Sequence, residues 1–105
     1  MSTTSIKKKA SAKSANLGSS TRIIRLELKG VSAAKVFVAG SFNDWQPTVS
    51  EMQALGDSHW VKELSLPPGR HEYLFVADGF WMPDPRALEA VPNPFGGWNS
   101  VLRVA

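Results

Sequence analysis

The sequence predicts an all-β sandwich, and three observations carry that expectation. Apolar residues recur with period two in several short runs. Turn formers interrupt those runs roughly every ten residues. No stretch holds a helical period: the one candidate turn, Arg86 to Val91, is bracketed by Pro85 and Pro92. A length of 105 residues suits one domain with its own core, and four Trp and five Phe supply large, stiff side chains for it.

The first strand spans Thr21 to Lys29, where Ile24, Leu26 and Leu28 alternate with Arg25, Glu27 and Lys29, and Gly30 ends it. A second, Lys35 to Ala39, contains the β-branched Val36 and Val38. It breaks at once into Gly40-Ser41-Phe42-Asn43-Asp44-Trp45, closed by Pro47. A polar loop launched from a strand and carrying two large aromatics can plug the core, offer a recognition surface, or do one with each ring. Thr48 to Ser58 reads as polar and irregular, with Met52 and Leu55 as apolar pins and Gly56-Asp57 as a turn. His59 to Leu66 is a third strand, with Trp60, Leu64 and Leu66 facing inward. Pro67-Pro68-Gly69 turns the chain into His71 to Ala77, where Tyr73, Phe75 and Ala77 share one face and Glu72, Leu74 and Val76 the other. Asp78-Gly79 predicts a two-residue hairpin, with Phe80, Trp81 and Met82 returning. Residues 84–97 read as loop, and Asn99 to Val104 as the last strand.

Charge is placed unevenly. Residues 1–20 carry Lys7, Lys8, Lys9 and Lys13 without an acid, whereas residues 21–105 carry eight basic and nine acidic side chains. The basic balance belongs to the tail, so specific nucleic-acid binding by the domain gains no support from it. The tail is poor in apolar residues, and we expect residues 1–20 to be a disordered basic segment ahead of a module over 21–105, a weak electrostatic tether at most. No apolar run approaches the ~18 residues of a membrane span. Lys7 to Lys9 are followed by a polar stretch where a signal peptide needs an apolar one. With no cysteine, these features fit a cytoplasmic protein.

Catalytic and metal chemistry find no pattern. Asp44, Asp57, Asp78 and Asp84 lie in turns, where aspartate is explained by backbone geometry rather than by pairing around a cleft. His59 and His71 are isolated, which argues against a zinc site. There is no nucleophile elbow, and Gly96-Gly97 lacks the Lys-Ser/Thr of a phosphate loop. No enzyme activity, metal or cofactor is expected.

GSFNDW at 40–45, PGRHEYLF at 68–75, ADGFWMPDP at 77–85 and NSVLRV at 99–104 occur in an order that resembles carbohydrate-binding module family 48. That family includes the glycogen-binding domain of the AMP-activated protein kinase beta subunit and the early-set domain of isoamylases and branching enzymes. PNPFGGWNSV at 92–101 looks most like small stand-alone bacterial early-set proteins. The resemblance implies an immunoglobulin-like antiparallel sandwich that binds an α-1,4-glucan polysaccharide or oligosaccharide without catalysis. It implies stacking aromatics at Trp45 and Trp81, an amide that grips sugar hydroxyls at Asn99, and an inserting apolar residue at Phe95. The family's sugar-bonding lysine is matched here by Leu74 and its threonine by Gly97; Arg70 or Lys62 is then a candidate replacement for the lysine. Trp60 is expected in the core and Trp98 to point away from Asn99. Two alternatives keep the fold with a degenerate sugar site: a protein-interaction adaptor, and an accessory domain of a separate glucan-metabolising enzyme.

Overall fold

The computed structural model describes residues 20–105. Apart from Ser20, the tail expected over residues 1–20 lies outside them. The described residues form nine strands: β1 (Arg22–Lys29), β2 (Val36–Gly40), β3 (Ser50–Glu51), β4 (Gln53–Gly56), β5 (His59–Leu66), β6 (Gly69–Ala77), β7 (Phe80–Met82), β8 (Glu89–Pro92) and β9 (Trp98–Val104). No helix occurs among the described residues. One sheet is ordered β8-β9-β6-β2-β3, with β7 also paired to β6, and the other β1-β5-β4. Every pairing is antiparallel.

The period-two pattern decides which faces meet. Leu26 and Leu28 of β1 and Trp60, Leu64 and Leu66 of β5 face Val36 and Val38 of β2, Tyr73, Phe75 and Ala77 of β6 and Val104 of β9 in one core. A sandwich of two antiparallel sheets is the result, as expected for an immunoglobulin-like fold. Trp60 is 6% exposed, and its indole N–H donates to the Val31 carbonyl at 2.9 Å, so the polar edge of a core ring is satisfied.

The segment from Thr48 to Ser58 corrects the reading of irregular chain. It holds β3, in the first sheet, and β4, in the second. Met52 lies between them, buried in the core, with its N–H donated to the Val36 carbonyl at 2.8 Å; it is the corner at which the chain changes sheet. Leu55 is exposed and pins nothing. The β4–β5 turn also sits one residue later than expected. Asp57 and Ser58 have φ of 53° and 58°, the two left-handed positions of a type I′ hairpin, while Gly56 opposes His59 beside a register shift. Asp78-Gly79 turns as expected, with φ of 49° and 86°. Residues 84–97 are not all loop, since β8 pairs with β9 from Glu89 opposite Val101 to Pro92 opposite Trp98. Pro92 is tolerated because β8 is an edge strand.

The central strand β6 organises the outer face of its sheet. β2 runs along one edge from Tyr73 to Ala77. Along the other edge, β9 pairs from Gly69 to Tyr73 and β7 from Phe75 to Ala77, in tandem. The outward residues of β6 therefore form a floor with the loop after β2 on one side and with β7, β9 and the β8–β9 loop on the other.

Candidate functional site

The loop after β2 is built by its short polar residues. Asn43 Oδ1 accepts from the Gly40 N–H at 3.0 Å, and Asn43 Nδ2 donates to the Val38 carbonyl at 2.9 Å and to Ser50 Oγ at 3.0 Å. The Gly40 carbonyl accepts from the N–H of Asn43 and of Trp45. Ser41 is stitched to β6: its N–H donates to the Glu72 carbonyl at 2.9 Å, and its Oγ accepts from the Glu72 N–H at 3.1 Å. Glycine is required at position 40, because a Cβ there would meet the Glu72 carbonyl oxygen at 2.5 Å and the Phe42 ring at 2.7 Å. The two aromatics divide the work. Phe42 packs against the core and edge-on to His71, with ring centroids 6.3 Å apart. Trp45 turns to the outer face of the sheet.

Trp45 is held with a φ of 57°, directly after Asp44 at the same angle. Aspartate adopts this left-handed region with little penalty, but a bulky L-residue there costs about 1 kcal/mol or more. The hydrogen bonds of the loop maintain that conformation, and it puts the indole over the floor of β6.

On that floor lies a cavity of about 730 Å³ bordered by Trp45, Glu72, Leu74, Trp81, Asn93, Pro94, Phe95 and Asn99. The four residues expected to form a site, Trp45, Trp81, Phe95 and Asn99, are thus brought together from three separate segments, the last two sharing one. Trp81 pairs across from Val76 and is 47% exposed. Phe95, at the tip of the β8–β9 loop, is 92% exposed. Leu74 is 8% exposed and forms the floor between them. Trp98 is exposed but does not border this cavity. Neither candidate for the missing lysine, Arg70 or Lys62, borders it. Lys62 belongs to the other sheet and borders a different groove, beside Glu51 and Gln53. Arg70 donates instead to Glu72 Oε2 at 2.6 Å.

A polar relay runs beneath the aromatics. Glu72 Oε1 accepts from Asn99 Nδ2 at 3.1 Å, and Asn99 Oδ1 accepts from Asn93 Nδ2 at 3.0 Å. Asn93 Oδ1 then accepts from the N–H groups of Phe95 and Gly97, both at 3.0 Å. A carboxylate only accepts, so the relay fixes the direction of each amide in turn. Asn99, 9% exposed, keeps one N–H and one carbonyl lone pair for a ligand. The Asn99 bond, followed by Arg70, holds the Glu72 carboxyl below the usual carboxylate range, against the opposing effect of burial.

Sequence reasoning left Glu72 and Asn93 out of the site. Glu72 was discoverable, since its alternation with Leu74 puts it on the same face. Asn93 carried no such signal: it lies between two prolines in a loop whose shape exists only once folded.

Two of the turn aspartates have structural partners. Asp78 accepts from the N–H groups of Ala34 and Lys35 at 3.0 Å, tying the β6–β7 turn to the approach to β2. Asp84 is more than a turn former: buried, it accepts from the Tyr73 hydroxyl at 2.5 Å and from the Arg86 N–H at 2.8 Å. Burial, and then this carboxylate, push the Tyr73 hydroxyl well above its usual range. Among the described residues there is no cluster of potential metal ligands and no helix long and apolar enough to cross a membrane.

Residues 24–105 match the model of the family described as the glycogen recognition site of AMP-activated protein kinase. The 5'-AMP-activated protein kinase subunit beta-2 of Homo sapiens is 36% identical over 70 residues, covering 67% of this chain and 25% of that protein. The beta-1 subunit of Bos taurus is 38% identical over 72 residues, covering 67% of this chain and 24% of that protein. The match spans about a quarter of the length of these relatives.

Proposed function

Because the chain belongs to the family of the glycogen recognition site of AMP-activated protein kinase, we propose that it is a non-catalytic α-1,4-glucan-binding module with Trp45 and Trp81 as its platform. One observation carries the reading: two indoles from different loops and strands, together with Phe95 and the Asn99 amide, border a single cavity with a leucine floor. The C–H face of a glucose ring packs against the electron-rich face of an indole, and two indoles on separate segments can follow a curved chain. Phe95 supplies apolar contact from the opposite rim. The free N–H and lone pair of Asn99 suit neighbouring sugar hydroxyls. The strained backbone at Trp45 supports the assignment, since strain of this kind concentrates where a side chain must be presented.

The structural engagement of Asp78 and Asp84 supports a binding role without catalysis. Affinity is expected in the micromolar to millimolar range, because an open surface covers only part of a solvated sugar and Leu74 offers no donor. On this reading the module acts in the cytoplasm on glycogen or a related glucan, alone or beside a separate glucan-metabolising enzyme. Co-sedimentation with insoluble starch or glycogen is the test. The protein should pellet with the polysaccharide and be released by soluble maltoheptaose. A protein that stays in the supernatant at every polysaccharide concentration would overturn the reading.

A further inference from the structure

Glu72 is the one ionisable side chain among the described residues that border the aromatic cavity. Its Oε1 accepts from Asn99 and its Oε2 from Arg70. Arg70, next to Glu72 on the same outer face of β6, pairs with the carboxylate from outside the lining. His71 alternates to the other side of β6, where its Nε2 lies 2.9 Å from the Pro67 carbonyl oxygen. A ligand seated in the cavity therefore meets a carboxylate and finds no cation along the lining.

We propose that Glu72 is a specificity-determining residue that restricts this site to uncharged glucans and turns away glucans bearing anionic groups. The proposal rests on the glucan-binding reading above. A neutral sugar gains from the carboxylate, because each oxygen retains a lone pair that can accept from a hydroxyl, and such charge-assisted bonds are stronger than neutral ones. A carboxylate or phosphate on the sugar loses that bond, is repelled at short range and has no partner in the lining. Repulsion of this origin weakens with added salt, whereas a steric barrier does not.

The test is calorimetric titration of the full chain with maltoheptaose and with maltoheptaose oxidised to carboxylates at its primary hydroxyls. In the oxidised ligand every register places a charge in the cavity. At low salt the neutral ligand should bind roughly tenfold more tightly. That ratio should shrink at high salt and in Glu72→Gln, whose amide oxygen still accepts from Asn99, and should grow in Arg70→Ala, which exposes the carboxylate. A ratio near one in the parent, or a ratio indifferent to salt and to both substitutions, overturns the charge selection while leaving glucan binding intact. A parent that binds neither ligand overturns the glucan reading, and this proposal with it.

Discussion

Replacing Trp81 by alanine removes one ring of the platform, and its cost can be worked from how the ring sits. The residue is 47% exposed, so of an indole side chain of roughly 250 Å², about 120 Å² is free to be covered. A pyranose covering half to all of that area is worth ~1.5–3 kcal/mol at about 25 cal/mol per Å². Affinity should therefore fall roughly ten- to 150-fold. Calorimetric titration with maltoheptaose reads the change, and a thermal melt confirms that the short strand β7 has kept its place. Trp45→Ala should behave alike, since alanine keeps the Cβ and leaves the left-handed backbone strain in place. If folded Trp81→Ala bound maltoheptaose within twofold of the parent, the stacking argument would be wrong.

Other consequences are independent of any ligand. Trp60→Ala should cost ~3–5 kcal/mol of stability, as a buried large-to-small change, read by chemical denaturation. Tyr73→Phe leaves the buried Asp84 carboxylate without its hydroxyl donor and should cost about 1–3 kcal/mol; a melting temperature equal to the parent's would contradict it. Gly40→Ala forces a Cβ towards the Glu72 carbonyl and should destabilise by ~1–3 kcal/mol, weakening glucan binding as the Trp45 loop shifts. The hydrogen bond from Arg25, with help from His59, holds the Glu27 carboxyl at about 2 against an ordinary 4.5, despite an opposing effect of desolvation. A depressed carboxylate contributes stability that is present above its unfolded value and lost as pH falls through the folded one. The melting temperature should therefore drop between pH 4.5 and 2, less steeply in Glu27→Gln, with Glu72 and Glu89 acting in the same direction.

The inward strands were legible because burial leaves a mark in each: apolar residues alternate in β1 and at the inward positions of β5, while β6, buried on both faces from Tyr73 to Ala77, reads as an apolar run. The edge strands were not. β4, Gln53–Gly56, is exposed throughout, and β8, Glu89–Pro92, nearly so. With neither face selected for apolar residues, only hydrogen bonds from β5 and β9 make them strands. At the cavity, Trp45 and Trp81 stood out as large aromatics beside turns. Glu72 and Asn93 did not, since their importance lies in hydrogen bonds to groups 27 and 6 residues away, to Asn99 in each case. Arg70, one of two candidates for the missing lysine, is instead captured by a carboxylate two residues on, a pairing visible only once folded.

The most direct test follows the four indole N–H resonances by ¹⁵N NMR while maltoheptaose is added to the full chain. The signals of Trp45 and Trp81 should move with a common dissociation constant. That of Trp60, which is buried and donates to Val31, should stay fixed, and that of Trp98, outside the cavity, should move little. Saturable shifts confined to Trp98, or no shift at Trp45 and Trp81 at millimolar ligand, would contradict the platform.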